Sequence, residues 1–306
     1  MSEFIPTEKG VPIRVPSTAN LMIDSADRAD PQTGSFSLQP SAFNFQIQRN
    51  NALMNGYFTR IGISEVVMEW SEPNIRPDLS NNFLTVNTVS SGTVNLYFVD
   101  ISGVNTFGAA FYNVAECLDA IVATANAAAT VGTWSVVTTS GVPTLTFSVG
   151  VAILDCALAR QLGLSISPST SVRLLSNRVI TPDLRQYRYI DITCDDLTYN
   201  QELKDSSTAP TTKNVLNRWY FAWDNPALDD KYGFPIEMGY NEFVARRIYN
   251  PPKQVKWSPN QPLGNLRFTV YGDDGLIVTQ YATPSARTGR INYNTNWLAT
   301  LQVSEV

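Results

Sequence analysis

Between Ile248 and Val278 the chain alternates apolar and polar positions in two runs set around a proline-rich connection. Leu266, Phe268 and Val270 fall on one side of an extended segment and their polar neighbours on the other, the two-residue period of a strand with one buried face. Asp274-Gly275 comes next, and two residues that tolerate positive φ after such a run predict a tight hairpin. Pro251, Pro252, Pro259 and Pro262 hold the backbone extended and remove ladder donors, which places this connection at a sheet edge or end.

The same alternation starts near Ala19 and continues through Phe43, Phe45 and Ile47. In the long run from Tyr57 to Trp70, Ile61 and Ile63 share one phase, while Val66, Met68 and Trp70 share the other. A slip of one residue inside a strand predicts a β-bulge near Ser64-Glu65. Strand signals return after Pro168, in Val172–Leu175, Tyr187–Ile192, Arg218–Trp223 and Phe243–Ile248. Many short strands with turn residues between them predict a mainly β protein built as an antiparallel β sandwich.

A different texture fills residues 80–165. Short strands at Phe83–Val86 and Val94–Phe98 precede a helical stripe of Val114, Cys117, Leu118, Ile121, Val122 and Ala125. Asn113 is a suitable N-cap, and Glu116 three residues on completes a capping box. A hairpin from Trp134 to Val149 and a short helix ending at Gly163 follow. The block reads ββαββα, with apolar residues of its own, and is expected to form an inserted α+β subdomain. The expected organisation is an N-terminal arm over 1–17, a sandwich made of 18–79 and 166–306, and the insert over 80–165. The arm holds Pro6, Pro12 and Pro16 and no sustained period, so it is expected to order only on docking.

Charged residues make up only 16% of the 306, against roughly 25% in ordinary globular chains. A polar but weakly charged surface can be buried against copies of itself without stranding ions, which suits an assembling subunit. Net charge is −5, and the nearest approach to a basic cluster is Arg287 with Arg290, so nucleic-acid binding is not expected. Cys117, Cys156 and Cys194 are odd in number and far apart, which excludes a disulfide framework and points to free thiols and a reducing compartment. The first twenty residues lack the apolar core of a secretory signal, and no apolar run reaches the ~20 residues of a membrane span.

The chain contains no histidine. That removes Ser-His-Asp and Cys-His hydrolysis, His-ligated metals and cupin-type catalysis. The acidic pairs Asp195-Asp196, Asp229-Asp230 and Asp273-Asp274 could serve a glycosidase, but adjacent carboxylates point to opposite faces of a strand or form turns. No phosphate loop, calcium loop or other metal spacing is present. Catalytic residues, cofactors and metals are therefore all expected to be none. Trp219, Tyr220, Phe221 and Trp223 could form a sugar-stacking platform, but Trp219, Phe221 and Trp223 share one strand face and read as core or subunit contact. Arg246, Arg247 and Tyr249 are candidate interface anchors, as is Trp257 in the proline-rich connection.

Three stretches resemble the minor capsid, or penton, proteins of virophages and polinton-like viruses. They are Ala19-Asn-Leu-Met-Ile-Asp-Ser-Ala-Asp-Arg28 leading into Phe43-Asn-Phe-Gln-Ile47, then Asn81-Asn-Phe-Leu-Thr-Val86 through Arg160-Gln-Leu-Gly-Leu164, then Asn250–Trp257 through Leu266–Gly275. Together they span most of the chain. The resemblance implies a single jelly roll, a homopentamer at the icosahedral vertices in contact with a major capsid protein, and an insert facing outward that could meet a host-surface receptor. It also implies a virion component made and assembled inside the host cell. The competing reading is a carbohydrate-binding or host-attachment module, and an enzyme comes third.

Overall fold

The structure, a computed structural model, describes residues 18–27, 41–52, 58–97, 112–128, 131–167, 177–180, 182–198, 215–221, 230–234, 243–252, 254–256, 263–279 and 295–305. The alternating segments become strands that pair antiparallel throughout. One sheet comprises β1 (Thr18–Asp24), β3 (Phe58–Trp70), β12 (Phe243–Ile248) and β15 (Asn296–Glu305), in the order β1-β15-β3-β12. A short strand, β13 (Gln254–Lys256), continues the β12 edge along β3. The second sheet comprises β2 (Asn44–Ala52), β10 (Tyr189–Cys194), β11 (Val215–Tyr220) and β14 (Leu263–Gly272), in the order β11-β10-β14-β2. Lettered B to I along the chain, these eight strands read BIDG and CHEF. That is the jelly-roll order, two sheets sharing interlocked Greek keys.

The phase slip read in the sequence is a real bulge. Thr300 pairs with Glu65 and Leu301 with Ile63, so Ser64 is left out of the ladder, and its hydroxyl donates to the Thr300 carbonyl at 3.1 Å. The bulge turns Ile61, Ile63, Val66, Met68 and Trp70 all inward, and all five are buried. Aromatic rings knit the two sheets. Trp70 meets Phe221 edge-on at 4.7 Å, and Trp297 lies 5.4 Å from both Phe45 and Phe268. Pro251 and Pro252 lie between β12 and β13 on the outer edge of the sheet, where the missing donors cost nothing. The Asp274-Gly275 turn forms, with Gly275 at φ 83°, but its second arm is a single bridge from Tyr271 to Ile277 rather than a strand.

Between β3 and β10 the chain builds a second body. Its elements are β4 (Phe83–Thr88), β5 (Gly92–Tyr97), α1 (Val114–Ala127), β6 (Trp134–Thr139), β7 (Val142–Phe147), β8 (Val151–Ile153), α2 (Ala157–Gln161) and β9 (Asn177–Val179). The capping box is present in both directions. Glu116 N–H donates to Asn113 Oδ1 at 2.8 Å, and Asn113 N–H to Glu116 Oε2 at 2.9 Å. Gly163, at φ 60°, closes α2. Apolar residues from α1, β4, β6, β7, β8 and α2 form a buried cluster distinct from the one between the two sheets. The sequence reading ended this block at 165, yet the cluster includes Ile180 and Leu184, and β9 pairs with β7. Three residues of β9 were too short a signal to separate from the sandwich strands around them. The expected strand over 172–175 and the arm over 1–17 lie outside the described residues. One helical turn, α3 (Asp195–Thr198), follows β10 directly.

Register fixes the polarity of the sandwich. Asp24, Asn44, Trp70, Tyr189, Tyr220, Phe243, Gly272 and Asn296 cluster at one end, and the second body grows from that end. Thr18 and Ser304 pair at the other end.

Candidate assembly surfaces and the buried junction

The outer edge of the first sheet is β12, and its alternation separates residues that the sequence grouped. Val244, Arg246 and Ile248 point outward and are exposed, while Arg247 and Tyr249 turn toward the sandwich and are half-buried. Arg246 forms an ion pair with Glu65 on the outer face. Arg247 donates to the Tyr220 carbonyl at 2.9 Å, and its guanidinium lies 4.9 Å from the centre of the buried Trp219 ring. It thereby ties the edge of one sheet to the edge of the other. Tyr249 packs against the core, and burial pushes its hydroxyl pKa upward, with Asn217 and Arg247 beside it opposing the shift. Trp257, the fourth candidate, lies outside the described residues.

The outer face of the second sheet carries a cluster of which the sequence singled out only Tyr220. Arg218 binds Asp191 through two hydrogen bonds, 2.6 Å from Nε and 2.9 Å from a terminal nitrogen, and these push its pKa above the ordinary guanidinium value. Its guanidinium sits 3.9 Å over the Tyr189 ring, and Tyr189 leans on Tyr220 at 5.9 Å. Tyr220 is 50% exposed. The partners are paired across β10 and β11, so only the strand register brings them together. Trp219 and Phe221, on the opposite side of β11, are buried in the core, which settles their core reading; Trp223 lies outside the described residues.

The junction between the two bodies is the other unforeseen site. Glu72 and Arg76 are fully buried and 3.3 Å apart. Glu72 accepts from the Thr295 hydroxyl at 3.1 Å, and Arg76 donates to the Thr279 carbonyl and hydroxyl, both at 3.1 Å, and to Asp78. Asn74 binds Tyr112 through both backbone groups, at 2.8 and 3.0 Å, and its amide reaches the Leu184 carbonyl at 3.4 Å. Asn81 bonds the Arg76 N–H, the Asn74 carbonyl and Gln161. A second tie comes from residues 230–234. Asp230 accepts from Ala115 N–H at the start of α1, and Tyr232 donates to Asp119 at 3.0 Å. The sequence signal for the junction is a pair of opposite charges each set just before a proline, Glu72 before Pro73 and Arg76 before Pro77.

Where they are described, members of the acidic pairs accept backbone N–H bonds. Asp196 accepts from Arg267 N–H, Asp230 from Tyr232 and Phe234 N–H, and Asp274 from Leu276 N–H. Among the described residues no group of three or more Cys, Asp or Glu could hold a metal ion, and no helix is long and apolar enough to cross a membrane. All three cysteines are free thiols. Burial pushes Cys194 up to about 12 and Cys117 higher still.

No protein-family model matches the chain, and no curated protein matches it. Among solved structures there is a likeness. The chain is similar to the penton protein of mavirus. The overlap covers 95% of this chain and 100% of that one, at 15% identity and a TM-score of 0.49. The faustovirus major capsid protein overlaps 97% of this chain and 44% of its own length, at 11% identity and a TM-score of 0.12.

Proposed function

We propose that the chain is a structural virion protein, a minor capsid or penton subunit that forms pentamers at icosahedral vertices and contacts a major capsid protein. The observation that carries this reading is the BIDG and CHEF strand order, with the second body at one end of the sandwich. Jelly rolls of this order serve in capsids, lectins and cupins. Cupin catalysis depends on histidine ligands, and the chain has no histidine. For a lectin use Trp219 and Phe221 are internal, and the exposed aromatics that remain among the described residues are tyrosines, Tyr220 and Tyr97. The shell is the reading favoured by analogy of fold and by the low charge of the chain, not by the structural overlaps. The insert, at the end away from Thr18 and Ser304, is the part suited to face outward and meet a host surface.

Negative-stain images of the purified protein should show five-membered rings, and antibody against it should label virion vertices. A protein that stays monomeric at high concentration, with unlabelled vertices, rules the reading out.

A second reading, a carbohydrate-binding or attachment module, draws on one face of the insert. There Tyr97, 42% exposed, lies 4.9 Å from Phe83, and Thr85 donates to Asn95 at 2.8 Å. A glycan array probed with the whole protein tests it, and an array without hits removes it.

A further inference from the structure

We propose that residues 230–234, in the connection between β11 and β12, are a clasp that docks on α1 as a preformed unit and releases while the sandwich and the insert both stay folded. Docked, the clasp fixes the insert at a second point. Released, it leaves the insert held by the Glu72–Arg76 junction alone. The device operates in the free subunit, whatever the protein assembles into.

The turn carries its own bonds. Asp230 Oδ1 accepts from Tyr232 N–H at 2.8 Å and from Phe234 N–H at 3.1 Å. Asp230 N–H donates to the Phe234 carbonyl at 2.8 Å, and Gly233 N–H to the Asp230 carbonyl at 2.9 Å. Gly233 sits at φ 80°, the left-handed conformation that lets the chain close on itself so tightly. A turn braced in this way keeps its shape away from its partner, so docking orders little new backbone.

What the turn offers α1 is separate from what holds it together. Its second carboxylate oxygen, Asp230 Oδ2, accepts from Ala115 N–H at 2.9 Å. The capping box already serves the next N–H, that of Glu116, so Asp230 extends the cap from outside the insert. The Tyr232 hydroxyl donates to Asp119 at 3.0 Å, and Lys231 forms an ion pair with the same carboxylate. The rings of Tyr232 and Phe234 lean, half-buried, on the margin of the insert core. The two ties differ in access to water. Glu72 and Arg76 are fully buried, whereas the Lys231 and Asp119 side chains are 52% and 49% exposed. An exposed pair contributes little, and water can take over each of these bonds as the turn lifts. The clasp is therefore the tie that opens first.

Trypsin can cut after Lys231 only when the turn has lifted off α1, because the bond must extend into the protease cleft. In the native protein, mass spectrometry should detect this cut at a rate that changes little with urea below the unfolding transition, the mark of a local opening. Asp119→Ala removes two of the clasp's bonds from the α1 side and should speed the cut about tenfold, with the melting temperature unchanged. Tyr232→Phe removes one of them and should speed it less. Spin labels on Cys156 in the insert and on Met22→Cys in β1, an exposed position, should give one narrow distance in the wild type and a broader distribution in Asp119→Ala. A cut that rises with urea as steeply as global unfolding, or that Asp119→Ala leaves unchanged, overturns the clasp. So does a fall in melting temperature in both variants, which would make the turn a fixed part of the insert core. A distance that stays narrow while the cut is tenfold faster overturns its hold on the insert.

Discussion

Glu72 and Arg76 lie 3.3 Å apart, with no part of either side chain exposed, where the chain leaves β3 for the insert. A buried ion pair contributes little net stability, because desolvation offsets the attraction. Its effect here is on geometry. Glu72 is tied to Thr295 on the first sheet, and Arg76 to Thr279 beyond β14, so the connection is held to both sheets at once.

Breaking that pair from one side should be severe. Arg76→Met leaves a buried carboxylate without its cation and should destabilise the protein by about 3–5 kcal/mol, while the double variant Glu72→Leu with Arg76→Met should lose less than the sum of the singles. Urea denaturation of the four proteins in the cycle measures this. Small, additive effects would show that the pair is not acting as a unit.

The neighbouring arginines of β12 should separate cleanly. Arg246→Ala removes an exposed ion pair and should change stability by less than about 0.5 kcal/mol. Arg247→Ala removes the tie to Tyr220 and the cation over Trp219, and should cost about 1–2 kcal/mol. Thermal melting of both variants decides it, and equal losses would contradict the assigned orientations.

The thiols should differ in reactivity. At pH 8 in the native protein, a thiol reagent should titrate Cys156 and spare Cys117 and Cys194, which burial keeps protonated; in denaturant all three should react. The sign for stability follows. The Cys194 pKa rises on folding from 9.0 to about 12, so its contribution is intact below pH 9 and declines as pH rises toward 12. Alkaline melting should therefore be steeper in the wild type than in Cys194→Ala. Rapid labelling of three native thiols would refute the packing described.

The inserted body should be separable. Asn74 touches both Tyr112 and Leu184, so the two ends of the insert meet at the junction. Replacing residues 82–183 by a short linker should leave a folded sandwich, whereas cutting only 80–165 strands β9, Ile180 and Leu184 without their partners. Circular dichroism and one-dimensional proton spectra of both deletions compare them, and a disordered 82–183 deletion would show that the sandwich needs the insert.

Local signals were legible in the sequence, and long-range ones were not. The bulge at Ser64 showed as a phase slip, and the α1 cap as Asn113 with Glu116, because each is written within a few residues. The split of Arg246 from Arg247 was also available, since neighbours in a strand point to opposite faces. The junction was hidden because Glu72 and Arg76 find Thr295 and Thr279 some two hundred positions away. Tyr189, Arg218 and Asp191 likewise meet only through register between strands separated by a long connection.

The molecule is a vector. β3 runs 13 residues from the end holding Thr18 and Ser304 to the end that bears the insert, a span of about 40 Å at ~3.3 Å per residue. A label attached at residue 305 and another in the insert would therefore lie beyond opposite ends of β3. In any shell this chain lines, the two colours would read out which way each subunit points.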